Sequence, residues 1–454
     1  MDEGLTAARR RAVMGCVLLG VALAGVDGAI ANIALPTIAR ELHATDAGSV
    51  WVVNIYQLAT TVCLLPVAAL GESLGLKRVY AFGLALFTAA SLLCALSPTL
   101  GVLVAARLVQ GVGGACMAAL GGAIVRTIHS HHQLGRAYAT VALSVALSAA
   151  LGPSIAAAIL SVATCPWLFL VNVPLGLVAV PLFLRIAPAG GARARRLDWT
   201  GAVLSALALG LLVTGVDGLG GPGRDWAYAE LAAGAACGAF LVRQQAHKPD
   251  PLLPLDLLRI PLFALSAVTS TCSYTAQILA YVSLPFLFQT VMHRSAVATG
   301  LLVTPWPLLV AVAAPVAGRL SSRYPAAVLG SIGLLVLASG LVLLATMPAA
   351  PADLDIAWRM GVCGVGFGFY QTPNNLTMMT AGPANRSGAA SGMLAVARTV
   401  GWSFGAALVA LIFGLRGGAG AVTCLWTGAA IALAGAVVSV LRGATGAGGP
   451  VRAE

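Results

Sequence analysis

The stretch AVMGCVLLGVALAGVDGAIANIA at residues 12–34 decides the fold class of this protein. It is apolar over a length that crosses a bilayer, for which about 20 apolar residues suffice. In its middle stands Asp27, a carboxylate that is costly to place in a membrane and that therefore indicates a functional site. Every other Asp or Glu can be placed in a loop or near the end of a helix. The stretch predicts a membrane-spanning helix built around one acid.

The whole chain shares the composition of this stretch. Of its 454 residues, 59% are hydrophobic and 9% are charged, and the mean hydropathy is +0.93, whereas soluble proteins carry about 25% charged residues. The apolar runs are too long and too free of alternation for the strands of a membrane barrel. We therefore expect an all-α polytopic protein that lies in a lipid bilayer.

Charge and cysteine patterns exclude several other classes. The net charge of +11 is spread singly or in small groups between apolar runs, which is typical of topology signals and not of a nucleic-acid surface. Nine cysteines are scattered without a CxxC pair or metal-ligand spacing. His129, His131 and His132 lie in one loop without a carboxylate or thiolate, so we expect a solvated loop and no metal.

Fourteen apolar runs are long enough to be spanning helices. They lie near residues 12–34, 50–70, 79–97, 100–124, 137–161, 167–185, 199–217, 226–246, 261–289, 297–318, 326–347, 356–380, 387–414 and 420–441. With the N-terminus inside, 19 of the 26 Lys and Arg residues, Arg442 among them, fall on the inner side and five on the outer side. This asymmetry favours an even number of spans with both termini in the cytoplasm.

Three landmarks suggest that the chain contains two similar parts. Leu35-Pro36 corresponds to Leu284-Pro285 at an offset of 249 residues, Gly71 to Gly318 at 247, and Gly152 to Gly401 at 249. The shared offset predicts two six-helix halves in the same orientation, at 1–185 and 260–454, with an inserted helix pair and its linkers at 186–259. Parallel halves with a binding site between them near the midplane are a standard transporter plan.

Five short segments resemble motifs of the major facilitator superfamily, and more narrowly of its fourteen-span drug:proton antiporter family. They are VDGAIANIALP (26–36), GESLGLKR (71–78), RLVQGVGGA (107–115), LGPSIAAAI (151–159) and WLFLVNVPLG (167–176). The resemblance covers nearly the whole chain. It implies a fourteen-helix bundle, alternating access between the halves, and proton-coupled export with no cofactor other than the proton gradient.

The motif residues also have physical interpretations. Gly111 keeps one face of the fourth helix flat for a close neighbour, and the pair Gly152-Pro153 kinks the fifth helix and gives a joint for conformational change. In the loop GESLGLKR, an acid and paired bases can hold one state of the transporter by charge pairing. The loop departs from the family pattern at several positions, so Lys77 and Arg78 can equally be membrane anchors. The gating candidates are Gly71, Glu72, Gly75, Lys77, Arg78, Gly111, Gly152 and Pro153.

Asp27 and Arg107 are the candidates for proton coupling. Both lie within predicted spans and must face protein or a water-filled cavity. Burial favours the protonated form of a carboxylate, whereas a nearby guanidinium favours the ionised form, so conformation can control protonation. Asp27 is expected to take a proton from outside and to lose it to the cytoplasm as a substrate enters. The alternative is a permanent Asp27–Arg107 bridge that does not titrate.

The second half has no clear intramembrane acid. In the family that the chain resembles, some members that carry divalent cations have an acid in the tenth span, and the span at 297–318 has none, so the resemblance implies monovalent lipophilic cations and not dications as substrates. Arg398, within the thirteenth span, has either a packing or a transport role. Polar and aromatic side chains are expected to line the cavity, where aromatic faces can hold a cation. These candidates are Asn32, Asn54, Tyr56, Gln57, Gln110, Gln277, Trp306, Phe369, Gln371, Asn374, Asn375 and Arg398.

The resemblance implies a proton-coupled exporter of lipophilic, often cationic drugs, dyes or biocides in a bacterial inner membrane, acting as a monomer. No Walker loop and no nucleophile–base pattern occur, so we expect neither an ATP-driven pump nor an enzyme. One alternative is an exporter of a neutral or zwitterionic metabolite, which a single buried acid does not exclude. A more remote one is a membrane sensor or scaffold that transports nothing.

Overall fold

The computed structural model describes residues 6–188, 198–220, 224–248, 254–348, 350–382 and 387–444. Every regular element in these ranges is helical, and no strand occurs in them. The helices are α1 (Ala7–Glu41), α2 (Asp46–Leu74), α3 (Leu76–Ala95), α4 (Leu100–Ile128), α5 (His131–Val162), α6 (Pro166–Leu170), α7 (Asn172–Ile186), α8 (Trp199–Gly218), α9 (Arg224–Gln245), α10 (Leu255–Leu258), α11 (Pro261–Phe286), α12 (Ala296–Val303), α13 (Pro305–Leu320), α14 (Ala326–Ala345), α15 (Asp353–Thr380), α16 (Ser387–Arg416) and α17 (Gly420–Ala444).

These helices form fourteen rods within the described ranges. Helices α6 and α7 share one rod, α12 and α13 share another, and α10 is a single turn before α11. A π-helical turn at Leu287–Val291 extends α11. Eleven rods are long and apolar enough to cross a membrane, and the more polar α9, α11 and α15 are the other three. The prediction of an all-α polytopic bundle is confirmed.

Helix packing in the first half (α1–α7) recurs in the second half (α11–α17). A Cβ added to Gly113 of α4 would lie 2.8 Å from the carbonyl oxygen of Gly83 in α3, and one added to Gly366 of α15 would lie 2.8 Å from that of Gly333 in α14. Both pairs of helices cross where only glycine leaves room for the neighbouring backbone. The two crossings are equivalent, with offsets of 250 residues for α3 and 253 for α4.

A second set of glycine contacts extends this equivalence to α1 and α5. Gly152 packs against Ala29, and Gly405 packs in the same way against Ile278, an offset of 249 residues for α1 and 253 for α5. Gly401, the counterpart expected from the sequence, instead packs one turn away, against Thr271 and Tyr274 of α11. The repeat is therefore present in the packing, but the glycine landmark is displaced by one helical turn. The domain boundaries stay a prediction.

The loops after α1 and α11 also share one conformation. His43 and His293 both adopt positive φ angles, 49° and 53°, which are uncommon for residues other than glycine. Two residues later, Thr45 and Ser295 cap the next helix by accepting a hydrogen bond from a backbone N–H. We call the side of the bundle with these loops the distal side, and the side with the start of α1 and the end of α17 the terminal side.

The hydrophobic core shows that the two halves meet on the distal side. One large core cluster contains residues 30–38 of α1 together with residues 274–286 of α11. On the terminal side the clusters are separate: residues 13–23 of α1 pack only with the first half, and Phe263 of α11 packs with residues of the second half and with Leu257 of α10. The bundle is therefore closed distally and divided towards its terminal side.

The inserted helices α8 and α9 pack on each other, and α8 also contacts α2 and α16, one helix from each half. At the start of α8, Asp198 accepts hydrogen bonds from the backbone N–H of Gly201 (2.8 Å), from Gln245 (2.7 Å) and from Lys248 (2.6 Å). Burial raises the pKa of Asp198, but the hydrogen bonds from Lys248, Gln245 and Gly201 outweigh it and hold the pKa well below its ordinary value. This clamp fixes the two inserted helices to each other.

Candidate functional site

Asp27 and Arg107 meet in the interior of the first half. Asp27 lies in the middle of α1 with 1% of its surface exposed, and Arg107 lies in α4 with 0% exposed. One guanidinium nitrogen of Arg107 lies 2.5 Å from Oδ2 of Asp27. The pairing predicted from the sequence is present, and it is enclosed on all sides in this conformation.

Two amides complete the coordination of the carboxylate. Gln110 Nε2 and Asn172 Nδ2 each donate to Oδ1 of Asp27, both at 2.9 Å. Gln110 also accepts from Arg107 at 2.6 Å and donates to the hydroxyl of Ser91 at 2.9 Å. Four helices thus supply one connected polar network, and every member is satisfied, as a buried network requires.

Arg107 is held in place by groups beyond the carboxylate. Its Nε donates to the backbone oxygen of Val52 in α2 at 3.0 Å, and its guanidinium lies 4.3 Å from the centre of the Tyr56 ring. Gly111 makes this possible, because a Cβ there would lie 2.7 Å from the backbone oxygen of Tyr56. The flat face predicted for α4 is where α2 approaches.

Two members of the network, Asn172 and Ser91, were not among the sequence candidates. Asn172 is the first residue of α7, where the rod shared with α6 breaks at Val171, and the break brings its amide to the carboxylate. The segment WLFLVNVPLG contains this residue, so its Asn was the available signal. Ser91 carries no sequence signal of its own, because a lone serine in a spanning helix commonly bonds its own backbone, as Ser91 also does with Phe87.

The remaining candidates of the first half lie at different depths. Asn54 is fully buried in α2, and neither atom of its amide has a hydrogen-bond partner. Asn32 is half-buried in α1 with an unpartnered Oδ1, and Gln57 is 9% exposed. The unsatisfied amide atoms of Asn54 and Asn32 call for water or ligand as hydrogen-bond partners.

In the second half, the structure brings together some candidates and separates others. Gln371 donates to the hydroxyl of Tyr274 at 2.8 Å, and Gln277 accepts from the indole of Trp402 at 3.3 Å. Phe369 and Asn375 are half-buried. Trp306 is fully buried against Tyr281, with ring centres 5.0 Å apart.

Asn374 belongs to a different cluster, at the terminal side. It is fully buried and accepts a hydrogen bond from Arg442 at 2.7 Å. Arg442, counted as an inner-loop residue from the sequence, has 1% of its surface exposed. In this conformation both residues lie in the interior of the second half.

Arg398 lies on α16 and is half-buried. Its guanidinium lies 5.4 Å from the centre of the Trp402 ring, and its Nε has no hydrogen-bond partner. Trp402 in turn packs edge-on against Tyr274, with ring centres 5.7 Å apart. Neither Trp402 nor Tyr274 was a sequence candidate, since an aromatic residue in a span is as often a membrane anchor.

The gating candidates other than Gly111 lie at two places. Gly71 packs against Leu120, and Gly75 forms the turn between α2 and α3 with a φ of 97°, which explains a glycine there. Glu72 and Arg78 are exposed, and Lys77 is half-buried. Gly152 and Pro153 lie within α5, and the backbone oxygen of Pro153 lies so close to Gly300 of the second half that a Cβ there would collide with it.

The described residues contain no group of three His, Cys, Asp or Glu side chains that could hold a metal ion. His129 bonds the backbone oxygen of Val125 at 3.0 Å. The side chains of His131 and His132 lie outside the part of the chain that is described.

The network around Asp27 is suited to chemistry that depends on one proton. If Asp27 is protonated, the charge pair with Arg107 is lost, while Gln110 and Val52 still accept from the guanidinium. Both protonation states therefore keep hydrogen-bond partners, and they differ mainly in electrostatic attraction between α1 and α4. A permanent Asp27–Arg107 ion pair would have the same geometry. A functional assay is therefore needed to distinguish an Asp27 that binds a proton from one that stays ionised.

Comparison with known proteins agrees with this architecture. The model of the Major Facilitator Superfamily matches residues 17–406. The chain is 49% identical over 443 residues to the uncharacterized transporter YebQ of Escherichia coli (strain K12), with 97% of each chain covered. It is 31% identical over 401 residues to the multidrug resistance protein Stp of Mycobacterium tuberculosis (strain CDC 1551 / Oshkosh), with 86% of this chain and 73% of that protein covered.

The fold is also that of solved structures. A crystal structure of a POT family transporter in complex with a thioalcohol conjugated peptide matches with a TM-score of 0.72, over 95% of this chain and 96% of that chain. The two sequences are 13% identical, so this match concerns the fold alone.

Proposed function

The chain belongs to the Major Facilitator Superfamily, and we propose that this membrane transporter exports small lipophilic compounds, such as drugs, dyes and biocides, in exchange for protons. The proton gradient across a bacterial inner membrane would supply the energy, with both termini in the cytoplasm, one chain sufficient for transport and no bound cofactor. The resemblance to Stp, which is named a multidrug resistance protein, supports the substrate range.

The observation that carries proton coupling is the enclosure of Asp27. Its carboxylate is 1% exposed and receives hydrogen bonds from Arg107, Gln110 and Asn172. A buried ion pair stabilises a fold little compared with apolar packing, so a charged site of this cost favours a functional role. We propose that Asp27 binds and releases the transported proton.

Alternating access would proceed by separation of the distal contacts. There, Gln289 donates to the backbone oxygen of Ile33 at 2.9 Å, and Thr37 donates to Gln289 at 3.3 Å. These bonds join the two halves in the conformation that is divided on the terminal side. Opening of the distal side requires that they break while contacts form on the terminal side.

Proton uptake would be linked to this exchange through the charge on α1. An ionised Asp27 binds Arg107 and draws α1 towards α4, whereas a protonated Asp27 leaves α1 free to shift. In the opposite conformation Asp27 would be exposed to the distal side and would exchange its proton there. Export of a compound in exchange for the proton that Asp27 carries gives antiport.

The test uses inverted membrane vesicles with a pre-formed proton gradient. Addition of ethidium, benzalkonium and rhodamine 110 in separate assays should release protons through the wild type with at least one compound, and Asp27→Asn should abolish that release. Asp217→Asn is the matched control, because Asp217 lies near the end of α8 and accepts from Trp51 at 2.9 Å; it should keep the release.

Proton release by both the wild type and Asp27→Asn would make the Asp27–Arg107 bridge structural and permanent. If no compound releases protons in the wild type, proton-coupled export of these compounds is contradicted. An exporter of a neutral or zwitterionic metabolite, or a sensor that transports nothing, would then be the candidates that remain.

A further inference from the structure

One surface of the second half carries a positive charge without an ionic partner among the described residues. We call this surface the wall: it is formed by α11, α15 and α16, and it faces the first half where the two halves separate towards the terminal side. Arg398 is half-buried in α16, no ion pair of the described residues includes it, and its Nε has no hydrogen-bond partner. An arginine inside a spanning helix is costly unless an anion, a carbonyl or water pairs with it. Arg398 is therefore available to a ligand in a way that the enclosed Arg107 is not.

Aromatic rings and amides surround this charge in a fixed arrangement. The centre of the Trp402 ring lies 5.4 Å from the guanidinium of Arg398. The indole N–H of Trp402 donates to Gln277, which orients the ring. Tyr274 packs edge-on against Trp402, and its hydroxyl accepts from Gln371. Three helices, α11, α15 and α16, thus hold a cation beside two rings, and the polar edges of the rings are already bonded.

Acidic groups that could attract a cation are absent from this wall. The sequences of α11, α12, α13, α14, α16 and α17 contain no Asp or Glu. Asp353 and Asp355, in the first turn of α15, lie at the distal side and pair with Arg294 and Arg359. Asp27 in the first half is enclosed by its own network. No carboxylate of these six helices therefore offsets the charge of Arg398.

The site is reached from the terminal side. The hydrophobic clusters of the two halves are separate there, and Arg398, Trp402 and Gln371 all keep part of their surface exposed. Ser403, one residue beyond Trp402, bonds Thr61 of the first half at 3.3 Å. A Cβ added to Gly392, on the terminal side of Arg398 in α16, would lie 3.8 Å from Leu65 of the first half, so the site lies along the contact between α16 and α2.

We infer that this wall binds an aromatic substrate that carries a carboxylate, with Arg398 pairing the anionic group and Trp402 and Tyr274 packing against the ring. A guanidinium forms two parallel hydrogen bonds with a carboxylate, and aromatic rings prefer offset or edge-on contacts of the kind already present. The inference rests on the proposed function and narrows its substrates from small lipophilic compounds in general to aromatic compounds with an anionic group.

The test compares two dyes that differ in one group. Rhodamine 110 carries a free carboxylate, and rhodamine 123 is its methyl ester and a cation. Binding to the purified full-length protein in nanodiscs is measured by fluorescence anisotropy, without a proton gradient. The wild type should bind rhodamine 110 about ten-fold more tightly, since a hydrogen bond to a charged group is worth roughly that factor.

Arg398→Gln should remove this preference by weakening rhodamine 110 binding about ten-fold and leaving rhodamine 123 binding unchanged. Arg398→Lys should retain part of the preference, because it keeps the charge but not the planar fork. Trp402→Leu should weaken both dyes alike. Arg294→Gln, at an arginine outside the site, is the matched control and should change neither affinity.

A wild type without a preference for the carboxylate dye, including one that binds neither dye, overturns the inference. An equal loss of both dyes in Arg398→Gln, with Arg398→Lys no better, also overturns it and makes the arginine a packing residue. Because binding needs no proton gradient, Asp27→Asn should keep the dye preference. Failure of the dye preference with intact proton release would contradict this inference alone, and the reverse result would contradict only the proposed function.

Discussion

The polar network of the first half and the equivalent region of the second half share one arrangement of helices, which we call the frame, but they differ in the side chains that the helices enclose. With the offsets given by the glycine contacts, Ala276, Leu341, Met360 and Cys363 stand in the second half where the first half has Asp27, Ser91, Arg107 and Gln110. All four equivalents are fully buried members of the large hydrophobic core. The equivalent helices of the second half therefore pack around apolar side chains at the positions where the first half carries charges.

A second buried guanidinium, that of Arg442, has neutral oxygens among its partners. Arg442 of α17 donates to Asn374 at 2.7 Å, to Ser266 at 3.0 Å and to the backbone oxygen of Ala326 at 2.8 Å. Neutral oxygens thus accept from one buried arginine, while Arg107 faces a carboxylate. These three acceptors of Arg442 are neutral, whereas Arg107 donates to the carboxylate to which we assign proton binding in the proposed function.

The largest effect is expected from a variant that breaks one side of the charged pair. Arg107→Leu leaves Asp27 buried without its cation, and removing one partner of a buried pair costs about 3–5 kcal/mol. Met360→Leu, at the equivalent position, is volume-conserving and should cost less than about 1.5 kcal/mol. Unfolding of the purified proteins in detergent, followed by intrinsic fluorescence, compares the two losses.

Replacing the whole network sharpens the same comparison. The variant Asp27→Ala, Ser91→Leu, Arg107→Met, Gln110→Cys, Asn172→Leu replaces every polar side chain of the network by an apolar one. It should unfold much closer to the wild type than Arg107→Leu does, because apolar replacement of a buried pair is often neutral or stabilising. It should release no protons in inverted vesicles. If this variant is as unstable as Arg107→Leu, the first half depends on its charges for folding.

An intermediate effect is expected where the two halves use the same packing. Gly111 lies against the backbone of Tyr56 in α2, and Gly364 lies in the same way against Trp306 in α13. Gly111→Ala and Gly364→Ala should each cost about 1–3 kcal/mol, since the added methyl group meets backbone that has to shift. Equal losses in the same detergent assay support the shared frame, and a loss confined to one variant contradicts it. Gly101→Ala, where a Cβ meets nothing within 4 Å, is the control.

Much of this frame could be predicted from the sequence, because long apolar runs need bilayer-spanning helices whatever their neighbours. The residue of the second half that corresponds to Gly152 could not be predicted. Gly401 and Gly405 lie one turn apart on the same face of α16, so sequence spacing does not distinguish them. Arg442 was expected at the membrane surface, because counting bases near helix ends treats each as solvated. Its burial depends on Ser266 and Asn374, which are distant in sequence.

The Asp27–Arg107 pair could be predicted because two charges inside spans of one half have few other partners. Asn172 joins them through a helix break, and Tyr274 and Trp402 surround Arg398 through contacts between three helices. Such positions depend on which face each helix presents, and helices of small and apolar residues give only a weak periodic signal for that face. The same weak signal explains why Asn374 was predicted among the cavity residues, whereas in the structure it bonds Arg442.

The smallest effect is expected from a charged pair that belongs to neither half. Lys248→Met removes the cation beside Asp198 and should cost about 1 kcal/mol or less, because the pair is partly solvated. The pKa of Asp198 in the folded protein lies below its ordinary value, so the stability from this pair is present above about pH 4 and is lost only as the pH falls further. The unfolding difference between Lys248→Met and the wild type should therefore be the same at pH 5.5 and pH 8, and the pH dependence of proton release should be unchanged. A difference that varies over this range would show that Asp198 titrates there, and the assignment of pH-dependent transport to Asp27 would then need a variant in which both acids are removed.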